Sequence, residues 1–233
     1  MGLARRAFCA LLLLAVAGCA AESARRVDQL SRDDGKTPRV ALMPLDVALS
    51  RVNAGGSQSP VAEWTTAAER NLTLALRLAA KRRGLMLRPV AEAVWRSEEF
   101  EQTRLLQNAV QTAVRTHQFG SSEDRLPGKE GRLGWTLGQG ALALRDRLQA
   151  DYALFVYLRD SYSSTGRRVL TAAAALLIGY PLSGGEQIGV ASLYDLRDGN
   201  LVWVRELDRT TGDLRNREDA AETAEALLKD FPG

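Results

Sequence analysis

Cysteine and histidine are nearly missing from this chain. The two cysteines are Cys9 and Cys19, both close to the amino terminus, and the one histidine is His117. So few thiols exclude a disulfide framework and a cysteine-built zinc site. A serine triad or a multi-histidine metal site would have to centre on His117 alone. Ser121, Ser122, Ser161, Ser163 and Ser164 are available as partners, but no Gly-x-Ser-x-Gly elbow occurs. The sequence therefore points to a solvated or helix-end histidine, to no metal and to no cofactor.

Charge of one sign is lacking too. Lysine and arginine number 31 against 28 acidic residues, and no basic stripe is concentrated anywhere, which argues against a nucleic-acid partner. Long apolar runs are also absent. The two candidates, Ala7 to Ala17 and Val169 to Leu182, fall short of the ~20 apolar residues a spanning helix needs. No internal repeat of fixed period occurs.

What is present begins at Arg5 and Arg6, a short basic stretch ahead of the first apolar run, as in a secretory signal. That run ends in Leu14-Ala15-Val16-Ala17-Gly18-Cys19, which resembles the lipobox cut by the lipoprotein signal peptidase. The resemblance implies a signal peptide over 1–18, a lipidated (palmitate-type) Cys19 with a flexible linker over 19–38, and a single periplasmic domain over 39–233. Two or three acyl chains on one cysteine hold a protein stably to a bilayer, where one chain holds it only marginally. Ala20, in place of the aspartate that retains many lipoproteins in the inner membrane, implies the outer membrane, with the domain facing the periplasm.

Within the domain, Arg39 to Val47 is a near-continuous apolar run and predicts a strand buried on both faces, with Pro44 marking a bulge or an end. Val52 to Ser59 reads as a loop, and Ser59-Pro60 as a capped helix start. Trp64, Ala68, Leu72, Ala75, Leu76 and Ala79 lie on one face of that helix, which Gly84 closes. Leu85 to Val90 predicts a second strand. Ser97 is placed to cap a long helix whose inward stripe reads Leu105, Leu106, Ala109, Val110, Ala113 and Val114. A shorter helix over Gly140 to Gln149 precedes a third strand, Asp151 to Leu158. Ile188 to Leu196 and Leu201 to Leu207 predict a hairpin turning at Asp198-Gly199. Asn216 and Asp219 open a last helix with Ala220, Ala224, Leu227, Leu228 and Phe231 inward.

Three features invite a chemical reading. Gly134, Gly138 and Gly140 precede a helix and could offer N–H groups to an anion, but the lysine of a phosphate loop is missing and turns explain them as well. Asp160, Asp195, Asp198, Asp208 and Asp213 lie near strand ends, where a carboxylate pair performs acid–base work or binds calcium, though turn chemistry accounts for Asp198 and Asp213. The polar, basic stretch Arg159 to Arg168 leads into fourteen uncharged residues, Val169 to Leu182. A basic rim beside an apolar insertion suits lipid headgroups or a subunit interface, and Arg167, Arg168, Leu176, Leu177, Ile178, Tyr180 and Leu182 would form that surface. A buried core element is the alternative.

With the lipobox in front and Val40-Ala-Leu-Met-Pro-Leu45 as first strand, the order of elements resembles periplasmic lipoproteins built on the fold of the curli-secretion lipoprotein CsgG and the amino-terminal domain of TolB. Asp151-Tyr-Ala-Leu-Phe-Val-Tyr-Leu-Arg-Asp-Ser-Tyr-Ser-Ser164 and Leu196-Arg-Asp-Gly-Asn-Leu-Val-Trp203 resemble stretches of uncharacterised proteobacterial outer-membrane lipoproteins. The resemblance implies an α/β domain, an α+β sandwich with a mixed sheet of about five strands and helices mainly on one face. It implies a non-enzymatic assembly or accessory role in envelope biogenesis or secretion, through protein partners and as a homo-oligomer in the curli-type relatives. A lipid or small-ligand carrier and an envelope hydrolase are the alternatives from other classes.

Overall fold

Pro44 interrupts the first apolar run, and the layout around it follows from that break. The computed structural model describes residues 21–26, 30, 37–53, 55–129, 133–163 and 185–232. In chain order the strands are β1 (Ala21–Arg26), β2 (Arg39–Leu42), β3 (Asp46–Val52), β4 (Gln58–Pro60), β5 (Met86–Pro89), β6 (Tyr152–Ser163), β7 (Gly185–Asp195) and β8 (Leu201–Arg209). The helices are α1 (Ala62–Arg82), α2 (Glu92–Trp95), α3 (Glu101–Val114), α4 (Gly140–Leu148) and α5 (Arg217–Leu227).

One mixed sheet joins all eight strands in the order β1-β8-β7-β6-β2-β5, with β3 paired to β6 and β4 to β3. Proline has no N–H for a ladder and is confined to edges, strand ends and bulges. Accordingly β2 pairs in parallel with residues 152–154 of β6, the ladder lapses at Pro44 and Leu45, and β3 resumes it from Asp46 opposite Tyr157. The anticipated single strand is thus two, and β6 runs on to Ser163, past the expected end at Leu158. The α/β fold with a mixed sheet agrees with the sequence reading.

Helices cover both faces of the sheet, which differs from the expectation of one face. Alternate residues of β6 point opposite ways. Leu154, Val156 and Leu158 pack with Leu72 and Leu76 of α1 and Ala220, Ala224 and Leu227 of α5. Ala153 and Phe155 pack with Val110 and Val114 of α3 and Ala141 and Leu144 of α4. The near-continuous apolar character of β2 and β6 is the sequence signature of this two-sided burial. Each fully buried leucine in such a layer contributes about 1.5–3 kcal/mol relative to exposure.

Most helices form where local chemistry predicts. The buried positions of α1 are Ala68, Leu72, Ala75, Leu76, Ala79 and Ala80, and Gly84 follows at φ 75°. Asn216 caps α5 by accepting the Asp219 N–H at 2.9 Å. Helix α1, however, begins at Ala62, because Gln58–Pro60 pairs antiparallel with β3. The Ser59 hydroxyl accepts from Asn53 Nδ2 at 3.0 Å and caps nothing. Ser97 likewise donates to the Val94 carbonyl, at 2.8 Å, and makes no cap.

The larger correction concerns α3. Its buried residues are Thr103, Gln107, Val110, Gln111 and Val114, while Leu105 and Leu106 are 57% and 42% exposed. The two stripes share Val110 and Val114, so helical periodicity admits both, and contact with α4 decides. Gly140 lies against Thr103 so closely that a Cβ there would collide with the threonine side chain.

Strand β1 lies where a linker was expected, with Ala21 opposite Asp208 and Arg26 opposite Trp203. An edge strand is held by main-chain hydrogen bonds and needs no apolar pattern, so the polar composition of this stretch concealed it.

Candidate functional site

The break at Pro44 opens a cleft of about 640 Å³, within the range of small-molecule sites. Its floor is the interrupted ladder, Pro44 and Leu45 with Phe155 and Val156. It lies at the carboxyl end of β2 and β5, where the Val90 N–H donates to the Leu42 carbonyl at 2.9 Å. Helix α1 leads into β5 on one face, and α2 to α4 lead from β5 to β6 over the other. That is a topological switch point, the usual place for a ligand in an open α/β sheet.

The walls are polar. Helix α1 contributes Glu69 and Thr73, α2 contributes Glu92 and Trp95, and α3 contributes Arg104, Gln107, Asn108 and Gln111. Gln107 donates to Gln111 at 2.8 Å, and both amides are buried. Glu92 is paired with Arg96 one helical turn on, and Asp46 with Arg159 at 2.7 Å. Glu69 forms no ion pair among the described residues. Burial pushes its carboxyl above the usual carboxylate range, and the neighbouring charge of Glu92 adds to the effect. Arg104 keeps its Nε buried with no hydrogen-bond partner.

The sequence does not single out the cleft, because its groups come from five separated segments. One signal was present: Thr103, Gln107 and Gln111 at i, i+4 and i+8 form a polar stripe as regular as the leucine stripe.

A second polar cluster lies at the far end of the long strands. Asp160 and Gln187 are cross-strand partners, and Tyr162 also donates its hydroxyl to Asp160. Gln187 accepts from Arg209 Nε at 2.8 Å, and Arg209 reaches Glu222 at 3.1 Å and the Thr223 hydroxyl. Burial pushes the Asp160 carboxyl up to about 6, opposed by the hydrogen bonds from Tyr162 and Gln187. Asp213 goes the other way, lowered mainly by its hydrogen bond from Arg215, whose guanidinium lies 4.1 Å from the Tyr162 ring centroid.

The remaining aspartates are not gathered into one site. Asp195 pairs with Arg197 at 2.5 Å, Asp198 holds the Asn200 N–H within the hairpin turn at 2.9 Å, and Asp208 is exposed on β8. Gly138 and Gly199 press together, with a Cβ at Gly199 falling 2.6 Å from the Gly138 carbonyl oxygen, so these glycines permit a close backbone approach. His117 lies in the turn Arg115–Phe119 that follows α3, bonds through Nδ1 to the Asp124 carbonyl at 2.5 Å and stacks near Trp135; it is not among the cleft residues. Among the described residues no group of three or more His, Cys, Asp or Glu could hold a metal, and no helix is long and apolar enough to cross a membrane. Cys19, Arg167, Arg168, Leu176, Leu177, Ile178, Tyr180 and Leu182, with the whole apolar insertion 169–182, lie outside the described residues.

No family model and no curated protein matches this chain. Among solved structures it is similar to the PelC dodecamer from Paraburkholderia phytofirmans, at 11% identity and a TM-score of 0.43, over 91% of this chain and 99% of that one. A single-substitution form of the same dodecamer gives 11% identity and a TM-score of 0.40, with the same coverage. Similarity at this level assigns neither family nor function.

Proposed function

We propose that this chain is a non-enzymatic, lipid-anchored envelope protein of the outer membrane that works in assembly or secretion through protein contacts. The anchor rests on the lipobox-like Leu14 to Cys19. The observation that carries the protein-contact reading is the outward stripe of α3. Leu105 and Leu106 are exposed on a helix whose inner face is spent on Thr103, Gln107 and Gln111. In this reading Leu105 and Leu106 supply the apolar part of a contact with a partner, a second copy of the chain included.

Two measurements test this. Palmitate labelling and membrane fractionation should find the wild type in the outer membrane and Cys19→Ser released. Native mass spectrometry in mild detergent should find a discrete complex that Leu105→Ser with Leu106→Ser dissociates into a folded monomer. Unchanged fractionation of Cys19→Ser overturns the anchor; a wild-type monomer without partners overturns the contact reading.

One observation favours the hydrolase alternative. Glu69, raised by burial, and Glu92, paired with Arg96, share the cleft, and two carboxyls in different surroundings suit an acid–base pair. Turnover of a chromogenic ester, glycoside or peptide substrate that Glu69→Gln abolishes would establish it.

A further inference from the structure

Glu69 and Arg104 are opposite charges that line one cleft and leave each other unpaired. Glu69 reaches it from α1, on one face of the sheet, and Arg104 from α3, on the other. Nearby charges are satisfied locally, Glu92 by Arg96 and Asp46 by Arg159. Among the described residues Glu69 has no cation within ion-pair distance, and the Nε of Arg104 is buried without an acceptor. Half-buried charges are costly unless paired, so two of opposite sign that line one cavity without an ion pair between them suit a ligand that carries both complements.

We infer that the cleft binds a small zwitterion, an α-amino acid or a short peptide with free, oppositely charged ends, with its carboxylate on Arg104 and its ammonium on Glu69. A lone anion would leave Glu69 unsatisfied, and a lone cation would leave Arg104 so. Gln107 and Gln111, 4% and 9% exposed and bonded to each other, line the same cleft and add amide groups to its wall. Trp95 and Phe155, both buried, give the wall an apolar part that suits an aliphatic side chain. A volume of about 640 Å³ accommodates a dipeptide. This site stands apart from the anchor and from the outer face of α3, so it survives or fails independently of the proposed function.

The test is titration calorimetry on the full chain in mild detergent with L-leucine, L-leucylglycine, isocaproate and isoamylamine, the last two being leucine without its ammonium or without its carboxylate. Leucine or the dipeptide should bind saturably, and each singly charged analogue at least about tenfold more weakly, the effect of one charge-assisted hydrogen bond lost. Glu69→Gln should abolish the preference for leucine over isocaproate, and Arg104→Gln the preference over isoamylamine, with circular dichroism unchanged. The inference is overturned if neither zwitterion saturates up to about 20 mM. It is equally overturned if an analogue binds as well as leucine, or if the preferences survive in both folded variants.

Discussion

Gln187 donates its side-chain amide to the Asp160 carboxylate at 2.8 Å, straight across from β7 to β6, where the two residues are register partners. That bond places an ionisable group inside a closed polar network, and its protonation enters the stability of the fold. Asp160 is pushed up to about 6 from an ordinary 3.8. Between those values the native chain keeps a proton that the unfolded chain has lost. The contribution of Asp160 is therefore complete below pH ~4 and is lost as pH rises through ~6. Comparing melting curves of wild type and Asp160→Asn across pH 4 to 7, the difference should shift toward the variant by about 3 kcal/mol and level off above pH ~6. A difference independent of pH would show that the carboxylate is already ionised throughout.

Arg209 ties three elements together, bonding Gln187 on β7 and Glu222 and Thr223 on α5, while it is itself buried. Truncation leaves several polar groups without partners. Arg209→Met should cost about 3 kcal/mol, a fall in Tm of roughly 6–12 °C for a chain of this size. Thermal unfolding by circular dichroism reads the effect, and a fall within 2 °C would mean the network relaxes around the loss.

The rotation of α3 is open to direct test. Leu105→Ser and Leu106→Ser should each change the stability of the monomer by less than about 0.5 kcal/mol, as exposed positions do. Val110→Ala, on the buried stripe, should cost about 1–3 kcal/mol. Urea denaturation of the three variants separates the two possible faces of the helix, and the reverse ranking would restore the leucine stripe to the core.

Gly140 and Thr103 report the contact that sets that rotation. Gly140→Ala places a Cβ against the threonine side chain and should destabilise by about 1–3 kcal/mol. Combining it with Thr103→Ala should restore most of the loss, giving a coupling of at least about 0.5 kcal/mol in a double-mutant cycle. Simple additivity would show that the helices move apart instead.

The residues legible in the sequence are those whose partners are local. Leu72, Ala75 and Leu76 on α1, Asn216 at the start of α5, and the Asp198-Gly199 turn between β7 and β8 all lie where spacing and turn chemistry put them, because helical faces, caps and tight turns are decided within a few residues. Strand β3 has no such local signal. It follows Pro44 closely, and its separate identity depends on pairing with Tyr157 to Ser163, more than a hundred residues away.

The sequence by itself determined the class of fold, the main helices, the hairpin and the lipobox-like start, since each rests on periodicity or on contiguous residues. Only the tertiary structure decided that helices cover both faces, that α3 turns Gln107 and Gln111 inward and Leu105 outward, and that Glu69 and Arg104 meet one cleft. The physical reason is that a helix with two competing stripes has no preferred rotation of its own. The orientation is settled by the neighbour it packs on, and Gly140 against Thr103 supplies that choice here.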